Sequence, residues 1–372
     1  MTFEAPPGFN AKPSASDGGA HSRARIAEAQ QLNSIERAGM EMASAAGLRY
    51  VRDADTGLTR RRRQGGFIYV NPDGSRVANK SEIQRINALA IPPAYRDVWI
   101  CRDPDGHIQA TARDAKGRKQ YRYHARWQAI RSATKFERMA AFGDALPRIR
   151  KTVAGLLRRE GMPREKVLAA VVQLLDVTLI RVGNDEYARR NRSYGLTTLC
   201  TRHVEVRGTM MTFEFRGKSG VAHRISVRHR GLAGFMQACL EIPGHELFQY
   251  LDEDGRRHAV TAAEVNAFLQ SIADASFTAK DFRTWGASAL ALRELLQERA
   301  ESPAAGKKMV IAMTRSVAEK LGNTPSVCRK SYIHPQVLDT FGAGTLPALQ
   351  VKARRGLRTH EAALLGLLTS AI

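Results

Sequence analysis

One stretch near the C-terminal end has the makings of a nucleophilic centre. In Leu321-Gly322-Asn323-Thr324-Pro325-Ser326-Val327-Cys328-Arg329-Lys330-Ser331-Tyr332-Ile333-His334-Pro335, a helix closes on a glycine and a polar Asn follows. A tyrosine stands nine residues beyond that Asn, amid Arg and Lys. A phenol with a pKa of about 10 is a poor nucleophile unless cations favour the phenolate. As structure, the same tyrosine is a helix residue with its ring packed on the core, and composition alone favours that reading over the nucleophile. Cys328, one helical turn before Tyr332, reads as a packing residue.

Other chemistries find less support. Two-metal catalysis needs clustered carboxylates. The candidates, Asp185-Glu186 and Asp252-Glu253-Asp254, lie beside Arg or Gly and read as solvated charges or helix-start residues. No G-x-x-x-x-G-K-[ST] pattern occurs, which argues against ATP-driven work, and H-E-x-x-H is absent. Cys101, Cys200, Cys239 and Cys328 lie far apart and form no C-x-x-C pair, which excludes a disulfide scaffold and the common zinc modules and fits a reducing cytoplasm.

The charge balance points to a polyanion. Among 372 residues, Lys plus Arg number 58 against 36 for Asp plus Glu, a formal net charge of +22. With 43% hydrophobic residues the chain can bury a core, so the basic charge belongs to a folded protein, and nucleic acid is the partner it suits best. No apolar run is long enough to span a membrane. The first 25 residues lack the apolar core of a secretory signal.

The elements that must position the chemistry follow from pattern. Residues 1–24, rich in Pro, Gly, Ser and Ala, read as a flexible tail, and Ile26–Ala46 as a helix closed by Gly47. Phe67–Val70 reads as a strand before the turn Asn71-Pro72-Asp73-Gly74. Val98–Cys101 and His107–Arg113 read as a hairpin about Asp103-Pro104-Asp105-Gly106. Residues 48–124 therefore form a small β-rich domain, with one short helix near Ser81–Leu89. From 125 onward the spacing is helical, over 125–141, 145–160 and 164–181. A three-stranded insert follows, made of Val204–Val206, Met211–Phe215 and His223–Val227, with Gly217-Lys218-Ser219-Gly220 as a turn. Thr261 with Glu264 and Thr278 with Asp281 have capping-box spacing, and Gly322 closes a helix over 307–321. The fold class is α+β: a tail and helix (1–47), a β-rich domain (48–124) and a mainly helical domain (125–372).

The tyrosine stretch resembles the active-site segment of the compact type IB DNA topoisomerases of bacteria and poxviruses, and other segments match in the expected order. Leu179-Ile180-Arg181-Val182-Gly183-Asn184 is similar to the segment of the first catalytic arginine, and Phe215-Arg216-Gly217-Lys218-Ser219-Gly220-Val221-Ala222-His223 to the hairpin of the catalytic lysine. Lys280-Asp281-Phe282-Arg283-Thr284-Trp285-Gly286 resembles the segment of the second arginine. In the β-rich part, Gly117-Arg118-Lys119-Gln120-Tyr121-Arg122-Tyr123 resembles a stretch whose arginine and tyrosines touch DNA. The resemblance covers roughly residues 48–340. One departure is Asn323, where several members of the wider family have His; an amide can donate to a phosphate oxygen but carries no charge.

The resemblance implies a mechanism. Tyr332 attacks a backbone phosphodiester to give a 3′-phosphotyrosyl bond and a free 5′-hydroxyl, Arg181, Arg283 and Asn323 stabilise the charged transition state, and Lys218 protonates the leaving 5′-oxygen. The ester conserves the energy of the broken bond, so relaxation of supercoils of either sign needs no cofactor, neither ATP nor a metal. The implied partner is double-stranded DNA, held by a monomer that clamps round it, in the cytoplasm at the nucleoid. Arg60 and Arg61, in a run of four arginines, and Arg190, soon after Arg181, join Arg118, Tyr121 and Tyr123 as DNA-binding candidates, a solvated loop being the alternative for the arginine run. A tyrosine recombinase shares the Arg, Lys, Arg and Tyr chemistry, but usually carries a helical N-terminal domain where this chain is β-rich. A non-catalytic basic DNA-binding protein would have no use for the intact set.

Overall fold

Short β-forming runs between residues 58 and 123 produce strands, and the helical spacing beyond them produces a mainly helical body. The computed structural model describes residues 36–346 and 352–370. Residues 1–24, the first part of the helix expected over 26–46, and part of the C-terminal tail lie outside the described residues. The chain divides into two units between Thr134 and Lys135.

The first unit starts with helix α1 (36–45). Five antiparallel strands follow: β1 (Leu58–Arg63), β2 (Gly66–Val70), β3 (Arg96–Ile100), β4 (Ile108–Arg113) and β5 (Lys119–Tyr123), in the order β2-β1-β3-β4-β5. Helix α2 (Lys80–Ala88) packs Ile86 on the sheet face formed by Leu58, Val98, Ile100, Ala110 and Ala112. Asn79 caps α2 by accepting from the amides of Ser81 and Glu82. A smaller cluster of Ala43, Ala46, Leu48 and Trp127 holds α1 in place.

Helix α3 (Ala125–Leu156) runs without a break across the residues between the two helical stretches expected there. Tertiary packing is the reason. A Cβ on Gly143 would stand 2.3 Å from the Trp285 ring, so the glycine is present for close approach and does not end the helix. The composition change at 124/125 marks the start of α3, whereas the division between the units falls within it.

The second unit is mainly helical. Its elements are α4 (Arg164–Thr178), α5 (Asp185–Asn191), the antiparallel strands β6 (Val204–Arg207), β7 (Met210–Arg216) and β8 (Ala222–Arg228), and α6 (Arg230–Glu241). Then come a hairpin of β9 (Gln249–Leu251) and β10 (Arg257–Ala259), α7 (Ala262–Ala273), α8 (Ala279–Leu295), α9 (Pro303–Leu321), α10 (Pro325–Ser331), α11 (Pro335–Gly342) and α12 (Thr359–Thr369). Both expected capping boxes form at the starts of α7 and α8. Helices α4 and α8 are almost wholly enclosed, and one continuous core surrounds them. The β9–β10 hairpin was not read from the sequence, its strands being only three residues each. Its turn absorbs Asp252, which accepts from the amides of Asp254 and Arg256. The mixed architecture, a small β-rich part followed by a larger helical part with a three-stranded insert, is the α+β class expected from the sequence.

Candidate active site

Each candidate side chain sits where an element ends. Helix α4 stops at Thr178, whose hydroxyl donates to the Leu174 carbonyl and accepts from the Ile180 amide. Leu179 then turns left-handed at φ 55°, so Arg181 projects from the exit and not from the helix. A Cβ on Gly286 of α8 would lie 2.5 Å from Leu179 Cδ2, so that glycine lets the turn dock on α8. Arg283, one turn earlier on α8, is 4% exposed. Its guanidinium donates to the Leu179 carbonyl and, at 2.9 Å, to the Leu321 carbonyl. It thereby ties the exit of α4 to the end of α9. Its Nε is buried with no partner.

Gly322 ends α9 at φ 59°, and a Cβ there would stand 2.0 Å from the His223 ring. The sharp exit aims Asn323 at Arg181, whose Nη2 donates to Asn323 Oδ1 at 2.5 Å. The other end of that amide, Nδ2, is buried and unpartnered. Thr324 caps α10 and Pro325 opens it. Tyr332 then stands at the C-cap with φ −132°, off the helical path. The Arg283 guanidinium lies 5.2 Å from the centroid of the Tyr332 ring. Lys218 is exposed on the tight turn between β7 and β8, closed by hydrogen bonds from Gly217 to Val221 and from Gly220 to Gly217.

Arg181, Lys218, Asn323 and Tyr332 line one groove of about 1170 Å³, together with His223, Arg293 and Lys320. Arg181, His223 and Arg283 border a smaller cavity. Sequence reasoning gave no role to His223; its ring stacks on Phe215 at 5.0 Å and fills the space Gly217 and Gly322 leave open.

The electrostatics favour an anion here. Burial by itself would push the Tyr332 phenol up, but the nearby charges of Arg283, Arg181 and Lys218 outweigh it, and the phenol sits below its usual 10. Burial and the neighbouring Arg181 draw Arg283 down to about 10. Burial, then Arg181 and Arg283, lower His223, which favours a neutral ring. Two guanidiniums, an amide N–H without a partner and a loosely held ammonium thus converge on a phenol already biased toward phenolate. This arrangement can bind a tetrahedral or pentavalent phosphoryl group and attack it. Cys328 is fully buried, and burial pushes its thiol up to about 11, so it stays a packing residue. Among the described residues, no group of three or more His, Cys, Asp or Glu is placed to hold a metal ion.

The six DNA-binding candidates divide by their present engagements. The Arg60 guanidinium donates to the carbonyls of Ile91, Pro92 and Tyr95 and covers the Phe67 ring. Arg118 is paired with the largely buried Asp114 at 2.7 Å. Both hold the first unit together as it stands. Arg61 is exposed on β1, and Tyr121 is exposed on β5 with its ring stacked on Tyr123 at 5.7 Å. Arg190, exposed on α5, pairs with Glu186 at 3.1 Å, a contact that solvent makes weak.

Comparison with known proteins places this geometry in a family. Residues 124–352 match the family model of the catalytic core of eukaryotic DNA topoisomerase I. Residues 66–114 match that of the N-terminal domain of bacterial DNA topoisomerase IB. The chain is 33% identical over 296 residues to DNA topoisomerase 1B of Acanthamoeba polyphaga mimivirus, covering 77% of this chain and 87% of the relative. It is 24% identical over 233 residues to DNA topoisomerase 1B of vaccinia virus (strain Copenhagen), covering 61% and 70%.

Proposed function

The chain belongs to the type IB DNA topoisomerases, and from that premise we propose that it relaxes positive and negative supercoils through a transient phosphotyrosyl bond made by Tyr332. The observation that carries the reading is the convergence of Arg181, Arg283, Asn323 and Lys218 around that one phenol.

The step balances without a cofactor. The Tyr332 oxygen, its proton lost to solvent, attacks phosphorus, and the bond to the 5′-oxygen breaks. Lys218, on a turn free to reach into the groove, supplies the proton that leaves with the 5′-hydroxyl. Arg181 and Arg283 offer planar donors to the equatorial oxygens, and the free Nδ2 of Asn323 offers a third. Each arginine contributes about 10³-fold or more, by analogy with arginines in other phosphoryl transfers. The ester stores the energy of the broken bond, so the same groups run religation in reverse after the cut strand has rotated, with no call for ATP or a metal.

A single copy acting on duplex DNA suffices for this chemistry. Exposed cations and aromatics, Arg61, Arg190 and Tyr121 among them, with Tyr123 beneath Tyr121, suit sugar–phosphate contacts that carry little sequence information; Arg60 and Arg118 support the surface that presents them. Among the described residues, no helix is long and apolar enough to cross a membrane, and we assign the enzyme to nucleoid DNA in the cytoplasm. The test is to denature a reaction with labelled duplex DNA and map the attachment. A 3′-phosphoryl group on Tyr332 supports the reading, and attachment through a 5′-end or another residue overturns it.

A further inference from the structure

A nucleophile at the end of a short helix has a positioning problem. Tyr332 leaves the path of α10 at its C-cap, where the last carbonyls of a helix lack intrahelical partners. Two side chains from distant parts of the second unit take up those groups. Ser288, fully buried on α8, donates from Oγ to the Tyr332 carbonyl at 3.0 Å and accepts from the His334 amide at 2.9 Å. One hydroxyl thus bridges the peptide groups on the C-terminal side of the tyrosine. Lys135, on α3, donates from Nζ to the Ser331 carbonyl at 2.5 Å, on the N-terminal side.

Neither contact serves the core in general. Ser288 is five residues from Arg283 on the same helix, so α8 carries both the guanidinium over the Tyr332 ring and the hydroxyl that grips the Tyr332 backbone. A shift of Tyr332 relative to Arg283 must break a Ser288 bond. Lys135 lies over the Phe136 ring at 4.1 Å, Phe136 meets His334 edge-on at 5.0 Å, and Asp281 is the acidic group that favours its charge. Burial draws Lys135 down to about 8. A leucine or methionine would fill that space at less cost, so the amine is there for the carbonyl it meets.

We propose that Ser288 and Lys135 are positioning residues that tether the peptide on both sides of Tyr332 and so fix the direction of the phenol toward the phosphate. The proposal rests on the reading of Tyr332 as the nucleophile. A misplacement of about 1 Å in a reacting group can cost about 100-fold in rate, so loss of either tether should lower the chemical step and leave DNA binding alone.

The experiment measures plasmid relaxation and trapped covalent adduct with enzyme in excess, alongside DNA affinity and thermal unfolding, on the full chain. Ser288→Ala should slow adduct formation by about 10- to 100-fold, with DNA affinity within about twofold of wild type. Thr314→Ala is the control, since it removes another buried hydroxyl, one that serves only the Val310 carbonyl of α9. It should lower the unfolding temperature comparably and keep the cleavage rate. Lys135→Met should slow adduct formation by about 10-fold, and Lys135→Arg, which retains a donor and a charge, should restore most of it. If Ser288→Ala does not fold, the two Lys135 variants decide. Ser288→Ala cleaving at the wild-type rate, rates that fall only in step with stability in both alanine variants, or equal loss in Lys135→Met and Lys135→Arg would overturn the tether. Wild-type enzyme that forms no Tyr332 adduct would overturn the nucleophile reading itself, and the tether with it.

Discussion

Arg181 and Asn323, 142 positions apart, meet through a hydrogen bond from the arginine Nη2 to the amide Oδ1. The bond settles which way the amide faces. With its oxygen occupied by Arg181, Asn323 presents Nδ2, a buried donor with no protein partner. An unsatisfied donor beside two guanidiniums is a ready site for an anionic oxygen.

Asn323→Ala removes that donor and leaves Arg181 without its anchor. Loss of one such donor costs about 2.7–4 kcal/mol of transition-state stabilisation, or about 10²- to 10³-fold in the cleavage rate. Single-turnover cleavage should show this with little change in DNA affinity. Asn323→His should retain most of the rate, because a ring nitrogen can donate to the same oxygen; complete loss would count against the donor role.

Lys218→Ala separates proton delivery from phosphate binding. On an ordinary 5′-oxygen at a mapped cleavage site the variant should be slow. On a 5′-bridging phosphorothiolate, whose thiolate leaves without a proton, it should approach wild type. Equal loss on both substrates would remove Lys218 from the general-acid role.

The pH dependence follows from the charges around Tyr332. Attack needs the phenolate, and the phenol is held below 10 by Arg283 and Arg181 against the opposing push of burial. The cleavage rate should therefore rise with pH and level off at a midpoint below 10. Arg181→Ala should move that midpoint upward while lowering the plateau. A midpoint unmoved by loss of Arg181 would mean that the observed ionisation belongs to another group.

Much of this was legible in the sequence, and what was not had a common cause. The capping boxes at Thr261 and Thr278, the hairpin turn of Lys218 and the glycine that ends α9 are local devices written within a few residues. The five candidate catalytic residues were found by their resemblance to a known family; composition alone left Tyr332 and Lys218 as ordinary side chains. What stayed hidden lies in contacts between residues far apart in sequence. Arg283 meets the Leu179 carbonyl, Ser288 meets Tyr332, Lys135 meets Ser331, and Gly143 meets Trp285. No periodicity or spacing encodes such pairs. Likewise, Arg60 and Arg118 look like free cations in sequence, and only the fold supplies the carbonyls and the carboxylate that engage them.

The C-terminal helix is fastened by another such contact. Arg150 of α3 pairs with Asp176 of α4 at 2.8 Å and with Glu361 of α12 at 2.7 Å, and the Glu361 side chain is 2% exposed. Glu361→Ala leaves a buried guanidinium short of a partner and should destabilise the protein by about 3–5 kcal/mol. Burial pushes the Glu361 carboxyl up, but the hydrogen bonds and charge of Arg150 outweigh it and hold the group below its usual 4.5. Its contribution is therefore complete above about 4.5 and is lost as the pH falls through the lowered value. Thermal unfolding of wild type and variant should converge in acid and differ most near neutrality; a constant difference at every pH would refute the ion pair as the cause.

Relaxation of a supercoiled plasmid in EDTA without ATP, by wild type and Tyr332→Phe in parallel, decides whether Tyr332 drives a metal-independent topoisomerase. The wild type should give a ladder of relaxed topoisomers and the variant none, with both proteins retaining the plasmid on a gel. Relaxation by Tyr332→Phe would contradict that role by requiring another nucleophile, and a wild type that binds but does not relax would contradict it by removing the topoisomerase activity.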